Sequence, residues 1–83
     1  MTVELRITTR NESTALPRVL RITARQSCAL KKLTLQPVAD DTALELFLLL
    51  DCQESPLRLI KLLQKQILVM DVSLLKEEVS LAV

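Results

Sequence analysis

The sequence predicts an α+β domain: one four-stranded antiparallel sheet with two helices on a single face, ordered strand, helix, strand, strand, helix, strand. Three observations predict it. Apolar residues alternate with polar ones at period two in the strand segments. Apolar residues recur at helical spacing in two segments that begin beside prolines. Two successive split β-α-β halves need right-handed crossovers, and that handedness puts both helices on the same side.

The first strand is read from Val3, Leu5 and Ile7 alternating with Glu4, Arg6 and Thr8. Asn11-Glu12-Ser13-Thr14 is a polar break. A helix over about residues 15–26 follows from Leu16, Val19, Leu20 and Thr23. Pro17 helps to place its start, because proline is tolerated where its missing N–H would lack an intrahelical partner. Thr14 as N-cap puts Pro17 at the third helical position, inside that zone.

Leu33 and Leu35 alternate with Lys32, Thr34 and Gln36 in the second strand, which Pro37 is expected to end. The apolar parity changes between Leu30 and Leu33, so a bulge or a late strand start is expected there. Ala39-Asp40-Asp41-Thr42 is a turn cluster, and a third strand runs over about residues 43–52. Ser55-Pro56 pairs a helix cap with proline at the first helical position. Leu59, Ile60, Leu63 and Ile67 form the stripe of the second helix, with Arg58, Lys61 and Lys65 facing water. Met70, Val72 and Leu74 alternate in the fourth strand, and residues 76–83 form a tail with no assignment. Asn11-Glu12-Ser13 before the first helix is faintly echoed by Gln53-Glu54-Ser55 before the second, half a chain later.

Composition narrows the function. Eighty-three residues allow one domain, taken as 1–83 with its core over about 3–75. The chain has no His, Trp, Tyr or Gly, one Phe and two Cys. Without His or a Cys cluster an ordinary metal site is not expected, nor a His-based nucleophile pair. Without Gly there is no phosphate-cradling loop. Eleven Lys plus Arg against ten Asp plus Glu leave a net charge of +1, which lacks the basic field of a nucleic-acid binder. No catalytic residue is therefore assigned, and a binding or subunit role is expected. A domain this small buries only roughly 60–65% of its unfolded surface, which favours association.

Met1 to Arg6 carries no long apolar stretch, and the longest strictly apolar run is Leu46 to Leu50. Neither a signal peptide nor a membrane span is expected, and the cytoplasm is the expected location. Leu46, Leu48 and Leu50 point to one face of their strand, Phe47 and Leu49 to the other. A strand apolar on both faces calls for cover on both. Two helices cover one face, so a partner is expected on the other, with Phe47 and Leu49 as its contact. A modest exposed patch is the plainer alternative.

The stretch Asn11-Glu12-Ser13-Thr14-Ala15-Leu16-Pro17-Arg18-Val19, followed by Leu33-Thr34-Leu35, closely resembles the ACT domain of acetolactate synthase (acetohydroxyacid synthase) small regulatory subunits. The family form is N-E-x-G-A-L-x-R-V, then a helix and an S-L-T-V-like strand. Gln64 to Val72 looks like the family's Q-L-x-K-L-x-x-V-x-x-V segment. The resemblance spans about residues 3–75 and the chain looks like the short, isozyme II type. It implies a ferredoxin-like βαββαβ fold and a subunit without chemistry or cofactor of its own. Its implied partners are a second small subunit and the large subunit, which in that family holds thiamine diphosphate, magnesium and FAD. The large subunit condenses pyruvate with pyruvate or 2-oxobutyrate, and the small subunit raises that activity.

In family members that bind valine, the effector pocket lies between two ACT domains and uses the loop before the first helix and the head of the second strand. The resemblance places Asn11, Thr14 and Ala29 at those positions. Asn11 matches the family. Thr14 stands where the family has glycine, and a β-branched residue obstructs close approach of a ligand to the backbone. Ala29 replaces an asparagine and offers no side-chain hydrogen bond. Weak or absent valine feedback is therefore expected. Asn11 is either a ligand contact or an Asx-turn residue, the turn being favoured. Thr14 is favoured as a cap.

Arg18, Arg21 and Arg25, like Lys31-Lys32, read as solvated charge. Cys28 and Cys52 read as small buried apolar residues. Asp40-Asp41 reads as turn, and Glu77-Glu78 as solvated tail. A free-standing homodimeric amino-acid sensor is the alternative function. A small acylphosphatase-like enzyme is a third class, opposed by the missing glycines.

Overall fold

The computed structural model describes residues 1–78. Six elements follow one another: β1 (Thr2–Arg10), α1 (Ala15–Ala24), β2 (Cys28–Val38), β3 (Ala43–Cys52), α2 (Leu57–Gln64) and β4 (Val69–Glu78). The strands form one antiparallel sheet in the order β2-β3-β1-β4. The expected fold class is the observed one.

The two faces sort by strand parity. Val3, Leu5 and Ile7 of β1 and Leu46, Leu48 and Leu50 of β3 are buried, and they cluster with Val19 of α1 and Leu59 and Leu63 of α2. Both helices therefore cover one face of the sheet. Fully burying such an aliphatic side chain stabilises by roughly 1.5–3 kcal/mol, and the packed stripe is what holds these short helices. Thr9 and Thr23 are the buried polar residues; their hydroxyls donate to the carbonyls of Arg10 and Val19, at 3.1 and 2.9 Å.

The expected irregularity in β2 is a bulge at Lys31: Leu30 faces Leu50 and Lys32 faces Leu49. The inserted residue lets Leu30 and Leu33 share the helix-covered face although they are an odd number of positions apart. β4 has two irregularities against β1, at Met70 and Leu75, and both side chains are exposed.

Some boundaries differ from expectation. Helix α1 ends at Ala24 rather than about residue 26. Thr14 is its N-cap, as the placement of Pro17 requires, but the Thr14 hydroxyl makes no cap hydrogen bond. Pro37 does not end β2; the strand runs through it to Val38. An edge strand can carry proline because one side of its ladder has no partner to lose. In α2 the cap position falls at Pro56, and the Ser55 hydroxyl accepts from the Leu57 N–H at 3.3 Å. Ile67 lies past the end of α2 and is 86% exposed, so it is not part of the buried stripe. Residues 76–78, expected in an unassigned tail, extend β4; the remainder of that tail lies outside the described residues.

The cysteines require the largest correction. Cys28 and Cys52 face each other at the end of the β2–β3 ladder and are joined in a disulfide. A 24-residue separation gives no hint of this, because it depends on the register that the hairpin turn and the Lys31 bulge establish together.

Candidate functional site

Two regions hold the residues singled out by sequence. The first is the pair of loops at opposite ends of the sheet. Asn11 follows β1 directly and is exposed. Its Nδ2 donates to the Asp41 carbonyl at 2.8 Å, and its backbone N–H donates to the Thr42 carbonyl at 3.2 Å. Asn11 thus clamps the β2–β3 turn rather than folding back on its own loop. That turn has an unusual backbone: Ala39, Asp40 and Asp41 all have positive φ, between 52° and 65°, with no glycine among them. Each costs roughly 1–2 kcal/mol relative to the right-handed region. The turn is held by the Thr42 hydroxyl and N–H, which donate to the Ala39 carbonyl at 2.6 and 3.1 Å.

Thr14 lies at the same end of the sheet, exposed, at the start of α1. Ala29 does not. It faces Asp51, which in turn faces Thr2 at the opposite end of β1. At about 3.4 Å per residue the strand between them spans roughly 27 Å. Within one chain Asn11 and Thr14 therefore come together, and Ala29 stays apart from both.

The second region is the sheet face away from the helices. Phe47 lies between Arg6 and Thr34, and Leu49 between Glu4 and Lys32. With Leu75 they line a shallow recess of about 290 Å³. Both are half-buried, because the long polar side chains beside them cover their flanks. Arg6 also donates to the Ser73 hydroxyl at 3.4 Å, and Ser73 donates to Asp71 at 2.9 Å. Larger apolar exposure lies at the sheet edges: Leu30 and Leu35 on β2, Met70, Leu74 and Leu75 on β4.

One ion pair lies within β4. The Lys76 ammonium stands 3.0 Å from Glu78, and that hydrogen bond, with the carboxylate's charge, raises the lysine pKa above its ordinary value. Among the described residues no cluster of His, Cys, Asp and Glu could hold a metal ion, and no helix is long and apolar enough to cross a membrane. Sequence reasoning missed the disulfide, and it also missed that Asn11 reaches a turn thirty residues away.

The architecture matches solved structures. The crystal structure of the ACT domain from GTP pyrophosphokinase of Chlorobium tepidum superposes with a TM-score of 0.77 at 16% identity, over 90% of this chain and 97% of that one. The chain has the fold of an ACT domain. The solution structure of the same ACT domain gives 0.74 at 15% identity, over 94% and 89%. The C-terminal domain of the MgtC protein from Mycobacterium tuberculosis shares the architecture with a TM-score of 0.67 at 22% identity, over 88% and 83%. No protein-family model matches the sequence, and no curated protein does. In this ACT fold, the Asn11–Val19 stretch occupies the junction of β1 and α1, and Ala29 occupies the head of β2.

Proposed function

We propose that this chain is a non-catalytic regulatory subunit of acetolactate synthase that stimulates the large catalytic subunit in branched-chain amino acid biosynthesis. The observation that carries the reading is the coincidence of an ACT fold with the Asn11–Val19 stretch at its β1–α1 junction. In the resembling family that junction is where the effector loop begins.

The separation of Asn11 and Thr14 from Ala29 supports a dimer of small subunits. Only a second copy can bring the head of its β2 to the Asn11 loop, because the two lie a strand length apart in one chain. Two of the three residues in such a pocket are ill suited to an amino acid. Thr14 presents a β-branched side chain where backbone approach is needed, and Ala29 offers no hydrogen bond. Valine feedback is then weak or absent.

The large subunit is contacted through the open sheet face around Phe47 and Leu49. Apolar side chains ringed by Glu4, Arg6 and Lys32 give a small apolar centre with a polar rim, as interfaces have. Binding there acts by favouring one conformation of the large subunit over another. Thiamine diphosphate, magnesium and FAD belong to that partner.

Co-expression with a tagged acetolactate synthase large subunit tests the reading. Stoichiometric co-purification is expected, and recovery of the large subunit alone at low salt overturns it.

A further inference from the structure

The outer surface of the helical layer carries a pattern that the reading above does not use. Arg18, Arg21 and Arg25 recur forty positions later as Arg58, Lys61 and Lys65, with the same spacing. All six are exposed, and the burial classes of residues 17–26 repeat one for one in residues 57–66. Neither α1 nor α2 contains an acidic residue. The ten acids lie in the strands and the connecting segments, so a chain of net charge +1 gathers six cations on one side.

The rows also meet across the layer. Arg18 and Lys65 line one recess, and Arg25 and Arg58 line another at the opposite end. Among the described residues none of the six takes part in an ion pair; the pairs that form are Met1–Asp51 and Lys76–Glu78. Glu54 borders the recess with Arg25 and Arg58 without pairing to either.

Helix stability explains part of this. Cations in the last turn complement the helix dipole, which suits Arg21, Arg25, Lys61 and Lys65. It does not explain Arg58, the second residue of α2, which the dipole opposes. Solvated helices normally interleave both signs, so six like charges without an acid are costly unless something neutralises them.

We infer that this face docks an acidic amphipathic segment of a partner protein, lying along the helix pair between the two rows of cations. Complementary charge is the first argument. The apolar rim is the second: Ile67, 86% exposed, lines the recess with Arg18 and Lys65, and Leu57, 58% exposed, precedes Arg58. Such side chains gain from an apolar stripe on a peptide and nothing from a phosphate backbone. The face is defined without reference to which enzyme the chain serves, and it lies on the opposite side of the molecule from Phe47 and Leu49.

The test is fluorescence anisotropy of a labelled amphipathic helical peptide of Glu, Leu and Ala, titrated with the whole chain. Binding is expected at low salt and should weaken as salt rises. Arg21→Glu with Lys61→Glu should weaken it about tenfold or more, whereas Arg10→Glu with Lys31→Glu in the sheet, an equal charge change, should alter it less than about twofold. Circular dichroism checks that each variant is folded, and Arg21→Ala with Lys61→Ala repeats the loss without reversed charge. Equal loss in both double reversals overturns the inference. Tighter binding of a DNA duplex than of the peptide overturns it in favour of nucleic acid. Self-association removed by the Arg21/Lys61 variant overturns it in favour of a second copy.

Discussion

Asn11 donates its side-chain N–H to the carbonyl of Asp41, 2.8 Å away and thirty residues later, so the loop that follows β1 pins the turn between β2 and β3. Replacing Asn11 by alanine removes that bond and leaves the turn held by Thr42. The expected cost is about 1 kcal/mol, the usual net worth of such a bond, read as a lower urea midpoint with unchanged slope. Amide exchange should speed up at residues 39–42 before it does so in the core strands.

The same turn gives a prediction of opposite sign. Ala39 has φ 52° and no side-chain polar group to offset the left-handed backbone. Ala39→Gly relieves the clash while enlarging the freedom of the unfolded chain, and the net expectation is a gain of about 0.5–1 kcal/mol. Thermal unfolding checks it; a lower midpoint contradicts the assigned strain.

The Cys28–Cys52 bond closes a loop that contains β2, the turn and β3. Restricting the unfolded chain over a loop of this length is worth about 3 kcal/mol. Replacing both cysteines by serine, or reducing the wild type with dithiothreitol, should lower stability by that order. The reductant should leave the double-serine variant unchanged. Alkylation with mass spectrometry reports which redox state is present under each condition.

These cases mark what the chain discloses by itself. The βαββαβ order, the face assigned to Leu46, Leu48 and Leu50, and a break in parity between Leu30 and Leu33 were legible, because a half-buried strand writes its parity into the sequence; that the break is a bulge at Lys31 and not a late strand start came from the strand register. Local rules were less reliable at edges. Pro37 looked like a strand end, yet an edge strand absorbs it. The Cys28–Cys52 and Asn11–Asp41 contacts were not legible, since each depends on a register or loop packing that no local pattern encodes. For the candidate effector residues the element assigned to each was legible but their separation was not: Asn11 follows β1 at one end of the sheet, and Ala29 lies on β2 at the other. The cationic rows were visible as separate helix faces, and only the antiparallel pairing of the helices joins them into one surface.

The proposed pocket, with Thr14 and Ala29 in place of the resembling family's glycine and asparagine, predicts a weak response to valine. In the assembled complex, calorimetry with valine should show no heat of tight binding, and saturating valine should leave acetolactate formation nearly unchanged. Thr14→Gly together with Ala29→Asn should increase valine binding. Micromolar binding to the unaltered complex contradicts the assignment of Thr14 and Ala29 as obstructions.

On the open sheet face, Phe47→Ala should cost about 2 kcal/mol, less than for a fully buried phenylalanine. If this face is the proposed contact, the substitution should reduce stimulation of an acetolactate synthase large subunit further than that loss of stability explains, when assayed well below the unfolding transition. Arg10→Ala, at the far end of β1, serves as a control with exposed charge. Equal stimulation by Phe47→Ala and the wild type moves the contact away from this face.

The most direct measurement is acetolactate formation from pyruvate by the purified large subunit, with this chain titrated in. A rise in turnover that saturates at a fixed molar ratio, with no turnover by this chain alone, is the predicted result. Turnover that stays flat across the titration, or activity from this chain in isolation, contradicts the account.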